Sequence, residues 1–213
     1  MLLRGKTILS SFESIEDVAS NTTVSTRGWN ITTSATSATV TGGIAGIVLA
    51  TGATSGEKAV VEATPFTGFV DWAKNPCFSM ICKLSSNENH TTFIGIGDYD
   101  AGTTENYIGF EIVGSTLNAV VSDGTTETNV SISGITVTND NVYSAIMTSP
   151  SSGTASGRVD FYINQDPVAS VQNATSTILP TGTDDVALQM RIINSTTADK
   201  TLTVYNTSYG QSI

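Results

Sequence analysis

The chain has 213 residues, of which 9 are Lys or Arg and 19 are Asp or Glu, giving a formal net charge of -10 although only 13% of residues are charged. That length can bury one sizeable core and predicts a single domain, while the negative charge repels polyphosphate and anionic lipid and so excludes nucleic acid and membrane surfaces as expected partners. Thr, Ser, Gly and Val dominate, a composition that favours pleated strands and tight turns over long helices.

The opening residues 1–9, Met-Leu-Leu-Arg-Gly-Lys-Thr-Ile-Leu, form the one locally basic and apolar patch, with Leu2, Leu3, Ile8 and Leu9 as its apolar side chains. Residues 1–10 read either as an arm that docks on a neighbouring subunit or as a first edge strand, and residues 11–213 as one β-sandwich domain. Ser10, Ser11, Glu13, Glu16 and Asp17 stand where a signal peptide needs an apolar run. Nothing approaches the ~20 apolar residues of a membrane span, so a soluble chain without an export signal is expected. The one helical candidate, 14–19, has Ser14 as a cap and Asp17 in its first turn.

From about residue 22 onward, runs of alternating apolar and polar residues end in Gly, Asn, Asp or Ser, the pattern of a half-buried strand and its turn. Phe78, Met80, Cys82 and Leu84 share one face of a strand. Val159, Phe161 and Ile163 share a face of another, opposite Asp160, Tyr162 and Asn164. Val186, Leu188, Met190 and Ile192 alternate in the same way, as do Leu202 and Val204. Further strand candidates are 39–51, 58–64, 91–97, 107–113, 117–122, 128–133 and 142–148. Short strands at near-regular spacing with no helical crossovers predict antiparallel sheets packed as a sandwich. Cys77 and Cys82 lie five positions apart, so in a strand rising ~3.3 Å per residue they are too distant for a disulfide. They are expected to be buried free thiols.

Several side chains are candidates for chemistry. Asp98 and Asp100 lie two apart in Gly97-Asp-Tyr-Asp-Ala-Gly102 with Glu105 nearby, an oxygen-rich arrangement that could hold Ca²⁺; the plain alternative is an acidic turn, with no cofactor. Tyr99 and Tyr107 bracket that loop and are the ligand-binding candidates, because an exposed ring can stack on a sugar. Trp29 and Trp72 are assigned to the core. His90, the one histidine, falls in a polar stretch and is expected at the surface of a loop. Asn-x-Ser/Thr sequons occur at Asn21, Asn30, Asn89, Asn129, Asn173, Asn194 and Asn206.

The order of these features resembles the concanavalin A-like lectin/glucanase superfamily, with its laminin-G-like domains and the similar modules of virus and phage structural proteins. The resemblance rests on Ser11-Phe-Glu13, Trp29, a glycine-rich hairpin over 46–56, Cys77-Phe-Ser-Met-Ile-Cys-Lys83, Asn106-Tyr-Ile-Gly-Phe-Glu-Ile112, Leu117-Asn-Ala-Val-Val-Ser-Asp-Gly124, and above all Gly157-Arg-Val-Asp-Phe-Tyr-Ile-Asn-Gln-Asp-Pro-Val168. It implies an all-β, antiparallel two-sheet jelly-roll sandwich, and calcium-binding laminin-G modules make a Ca²⁺ site at Asp98, Asp100 and Glu105 conceivable. Glucanases of the superfamily carry paired acids on a Glu-x-Asp-x-x-Glu strand, as retaining chemistry requires. The counterpart here is Glu111 in Phe-Glu-Ile-Val-Gly-Ser-Thr, without its partner acids, so no enzyme is expected and Glu111 reads as a solvated strand residue.

The expectation from sequence is therefore a non-enzymatic virion structural protein, a capsid decoration, head-fibre or tail-associated subunit at the virion surface. Its partners would be capsid or other virion proteins or further copies of itself, with surface glycans as a further ligand. A carbohydrate-binding module of a cell-surface assembly and a glycan hydrolase with an unrecognised site are the alternatives. A second carboxylate opposite Glu111 would mark the enzyme. Available sheet edges and the apolar strand of residues 1–9 would mark the assembly protein.

Overall fold

A computed structural model of the chain describes residues 10–11, 29–34, 37–43, 46–63, 70–100, 105–149, 157–172, 179–186 and 188–212. The arm side chains Leu2, Leu3, Ile8 and Leu9 and the helical candidate 14–19 lie outside the described residues. Two antiparallel sheets pack face to face, the sandwich that the period-two runs predict and the all-β jelly roll that the resemblance implies.

One sheet runs in the order β14 (Asp166–Gln172), β13 (Arg158–Ile163), β12 (Asn141–Thr148), β7 (Cys77–Leu84), β17 (Thr201–Gly210), β4 (Gly46–Ala50) and β3 (Thr39–Gly43). A short β1 (Ser10–Ser11) pairs with the far end of β17. The other runs β11 (Glu127–Ile132), β10 (Thr116–Asp123), β9 (Asn106–Val113), β8 (His90–Gly97), β16 (Gln189–Asn194), β5 (Lys58–Ala63) and β2 (Trp29–Ser34). A two-stranded ribbon of β6 (Val70–Asp71) and β15 (Thr183–Asp184) stands apart from both.

Alternate residues of each inner strand meet between the layers. Phe78, Met80, Cys82 and Leu84 from β7 and Val159, Phe161 and Ile163 from β13 face Ile94 and Ile96 of β8, Ile108, Phe110 and Ile112 of β9, and Met190 and Ile192 of β16. Phe110 is the hub, meeting Tyr143, Phe161 and Phe78 of the opposite sheet edge to face at centroid distances of 5.1, 5.3 and 6.3 Å. Each such ring contributes its buried apolar area, roughly 1.5–3 kcal/mol, and a further ~0.5–1.5 kcal/mol from the edge-to-face geometry. Trp29 and Trp72 are buried, and both cysteines are buried and not disulfide-bonded, as expected.

The β13–β14 hairpin is a tight two-residue turn. Asn164 and Gln165 both take positive φ, 53° and 75°, which suits the right-handed twist of the flanking strands. The Asn164 side chain locks it by accepting the Val142 N–H at 2.9 Å. Pro167, which has no N–H to donate, sits on β14, an edge strand.

Some local readings change. The run 46–56 is not a hairpin: β4 ends in one sheet, β5 begins in the other, and residues 51–57 cross between them, tied by the Thr51 N–H to Lys200 O and the Gly56 N–H to Asn194 O, each at 3.0 Å. The candidate strand 39–51 is instead two strands, paired from Thr39↔Ala50 to Gly43↔Gly46. The one helical element among the described residues is a 3-10 turn, Trp72–Lys74, whose Ala73 N–H donates to Asp71 Oδ1 at 3.0 Å.

Candidate functional site

Residues that point away from the core on the seven-stranded sheet form the site. β8 contributes Phe93 and Gly95, β9 contributes Tyr107, Gly109 and Glu111, β16 contributes Gln189 and Arg191, β5 contributes Lys58 and Glu62, and β2 contributes Thr32. Register makes them neighbours: Gln189 lies beside Gly95 and Glu62, and Arg191 lies beside Phe93 and Val60.

Gly95 and Gly109 stand side by side and leave a floor for the Phe93 ring. A Cβ on Gly109 would lie 2.5 Å from the ring and 2.6 Å from Ile94 O, so neither position admits a side chain without a shift. The Tyr99 ring lies parallel on Phe93 at 4.2 Å, and Tyr107 meets both rings edge to face at 5.1 and 5.7 Å. The stretch 98–100 thus folds back over the sheet. Its Tyr99 N–H donates to Gln189 Oε1 at 3.1 Å, Arg191 Nη1 donates to Tyr99 O at 3.1 Å and pairs with Asp100, and the Tyr99 hydroxyl donates to Glu111 Oε1 at 2.6 Å. Tyr107 donates its hydroxyl to Glu127. Burial and these carboxylates push both tyrosine hydroxyls above their ordinary range.

Beside this aromatic wall opens a cleft of about 220 Å³ lined by Thr32, Lys58, Val60, Glu62, Asp98, Asp100, Glu105, Gln189 and Arg191. Gln189 is almost fully buried and links two strands of the floor to the turn, because its Nε2 also donates to Glu62 Oε1 at 2.8 Å. Glu62 accepts a second bond from Asn30 Nδ2 at 3.3 Å. The Asp98 carboxyl is pushed up to about 6, first by burial and then by the carboxylates of Glu62, Asp184, Glu105 and Asp185.

The residues singled out in the sequence converge here only in part. Tyr99 and Tyr107 lie beside the cleft, but at 2% and 3% exposure their rings face one another and Phe93. Asp98, Asp100 and Glu105 share the cleft, yet Asp100 is turned to Arg191, and among the described residues no three His, Cys, Asp or Glu side chains are grouped to hold a metal ion. Glu111 is half-buried and accepts the Tyr99 hydroxyl. His90 is a correction: it opens β8, is 2% exposed, and has Ser86 O at 3.1 Å from Nε2 and Thr92 Oγ1 at 3.0 Å from Nδ1. Burial holds its pKa below the ordinary value. The sequon at Asn194 is buried, with its Nδ2 donating to Gly52 O at 2.8 Å.

Glu62, Gln189, Arg191, Lys58 and Thr32 escaped the sequence reading. The available signal was a charged or amide residue between apolar neighbours on a strand, as in Gln189-Met-Arg191-Ile and Val60-Val-Glu62-Ala, because a polar group on a buried face needs a partner.

The fold is that of the concanavalin A-like lectins and glucanases. The Crh5 transglycosylase superposes with a TM-score of 0.64 over 98% of this chain and 87% of its own, at 11% identity. The carbohydrate recognition domain of Emp47p follows at 0.61 over 96% of this chain and 100% of its own, at 9% identity. The Bacillus licheniformis β-glucanase follows at 0.59 over 89% and 95%, at 10% identity. No protein-family model matches the sequence, and no curated protein matches it. The chain is thus a lectin/glucanase-like β-sandwich whose structural neighbours include both carbohydrate-recognising and carbohydrate-processing proteins.

Proposed function

We propose that the chain is a non-catalytic glycan-binding domain that takes its ligand in the cleft on the outer face of the seven-stranded sheet. The observation that carries this reading is the cleft itself: buried polar groups, Gln189 and Arg191, form its floor, while Glu62, Lys58 and Thr32 offer donors and acceptors at its wall. Such a mixture of fixed polar groups on a rigid sheet suits a ring bearing hydroxyls. The carbohydrate recognition domain among the structural neighbours supports it. The absence of a catalytic role is supported at Glu111, whose carboxylate is bonded to Tyr99 and whose same-face neighbours along β9 are Gly109 and Val113. A glycan array probed with the protein and with Thr32→Trp tests the reading. Binding that Trp abolishes, at unchanged melting temperature, is expected. Failure to bind any glycan, or binding that survives the blocked cleft, overturns it.

A second reading draws on Asp98. A carboxyl held near 6 beside another carboxylate, Glu62, matches the pattern of an acid paired with a second carboxylate in glycoside chemistry. Under that reading polysaccharide hydrolysis or transfer is measurable and lost in Asp98→Asn. The particle-assembly reading takes its partner strand from residues 1–9, which lie outside the described residues, and none of the three named neighbours is a virion protein by its name.

A further inference from the structure

The outer face of the seven-stranded sheet is divided in two. Strands spaced ~4.8 Å apart give this face a width of roughly 29 Å from β2 to β11, room for several sugar rings in a row if it were clear. It is filled in the middle. Phe93 of β8, Tyr107 of β9, Val120 of β10 and the ring of Tyr99 form a small apolar cluster here, none of them more than 3% exposed. The chain's own side chains therefore occupy the surface above three central strands. This cover is fixed in place. Tyr99 is held through all three of its polar groups, its N–H by Gln189, its carbonyl by Arg191 and its hydroxyl by Glu111, and the Arg191 guanidinium lies 5.8 Å from the centre of its ring. A ligand that lifted the turn would break these bonds and open the cluster to water.

What remains on the β2 side is the cleft. Its strand residues come from β2, β5 and β16, a floor about 10 Å across. At about 220 Å³ the space lies below the roughly 300–1,000 Å³ of pockets for drug-sized ligands and suits a single ring. Asp98 and Asp100, on either side of Tyr99 in the covering turn, line the same space, so turn and cluster together form its end wall. Arg191, Phe93, Glu111, Asn118 and Ser131 stand in one cross-strand row. Arg191 lies in the cleft, and Asn118 and Ser131 lie beyond the cluster, where Ser131 Oγ donates to Asn118 Oδ1 at 3.0 Å. A sugar chain that enters the cleft cannot continue along that row, because Phe93 and Tyr99 stand in its path.

From this division we infer that the cleft recognises the terminal unit of a glycan and not an internal stretch of a long chain. The inference rests on the glycan-binding reading of the same cleft and specifies which part of a glycan it takes. Units beyond the first then hang in solvent and add nothing to affinity. Calorimetric titration with the free monomer, dimer, tetramer and hexamer of glucose, galactose, mannose, xylose and N-acetylglucosamine tests it. For the sugar that binds, the affinities of monomer and hexamer are expected to agree within fivefold, a readout that needs no variant. A rise of more than fivefold with chain length overturns the inference while leaving glycan binding standing. Ser131→Trp, on an exposed position beyond the cluster, supplies a second arm and is expected to leave hexamer binding unchanged. A variant that weakens the hexamer but not the monomer would show that the groove continues past Tyr99, and also overturns it. If none of the five series binds at any length, the glycan-binding reading falls and the inference falls with it.

Discussion

The rings of Phe93 and Tyr99 lie parallel, with centroids 4.2 Å apart and planes 3° from one another, above a floor from which side chains are missing at Gly95 and Gly109. The stack lets the 98–100 stretch lie against the sheet and so shapes one wall of the cleft. Gly109→Ala pushes a methyl into Phe93 and the Ile94 carbonyl, and overpacking of this sort costs about 1–3 kcal/mol. For a chain of this size each kcal/mol moves the melting temperature by about 2–4 °C. Thermal melting is expected to show that drop, and a variant as stable as the parent would mean that Phe93 has room to move.

Asp98 provides a pH test. Its pKa rises from 3.8 to about 6 in the folded chain, so between these values the folded state holds the proton more firmly than the unfolded one. Stability from this group therefore falls as pH rises through that window. Asp98→Asn is expected to melt higher than the parent above pH 6, with the gap closing toward pH 4. Asp184, also raised by burial, keeps part of the slope in the variant. Parallel melting curves from pH 4 to 8 would contradict the assignment.

The two thiols give a third measurement. Cys77 and Cys82 are buried and not disulfide-bonded, and burial drives the Cys82 thiol above its ordinary range. An aromatic disulfide reagent at pH 8 is expected to leave both unreacted in the native protein and to titrate two thiols after denaturation. Rapid reaction of the native protein would show that β7 opens readily.

Phe110 tests the packing between the sheets. Its ring joins three rings of the opposite layer, and truncation of such a side chain costs about 3–5 kcal/mol. Phe110→Ala should lower the urea midpoint with little change in the slope of the transition. Phe110→Leu should recover most of the loss.

Local alternation was readable directly from residues such as Phe78, Met80, Cys82 and Leu84 or Val159, Phe161 and Ile163, because a strand turns successive side chains to opposite faces whatever surrounds it. The same period made a sandwich legible and kept the two cysteines apart. His90 was misread because polar neighbours suggest a loop, whereas its burial depends on Ser86 and Thr92 closing around the ring. Strand partners are a long-range matter. Glu62 and Gln189, 127 residues apart, share a hydrogen bond because β5 and β16 pair in antiparallel register, and neither segment carries a local sign of the other. The same holds for Arg191 beneath Asp100 and for Tyr99 on Phe93. A cleft assembled from three strands of one sheet and from Asp98, Asp100 and Glu105 beside them has no contiguous motif, so its composition and charge were decided only when tertiary pairing brought those strands side by side.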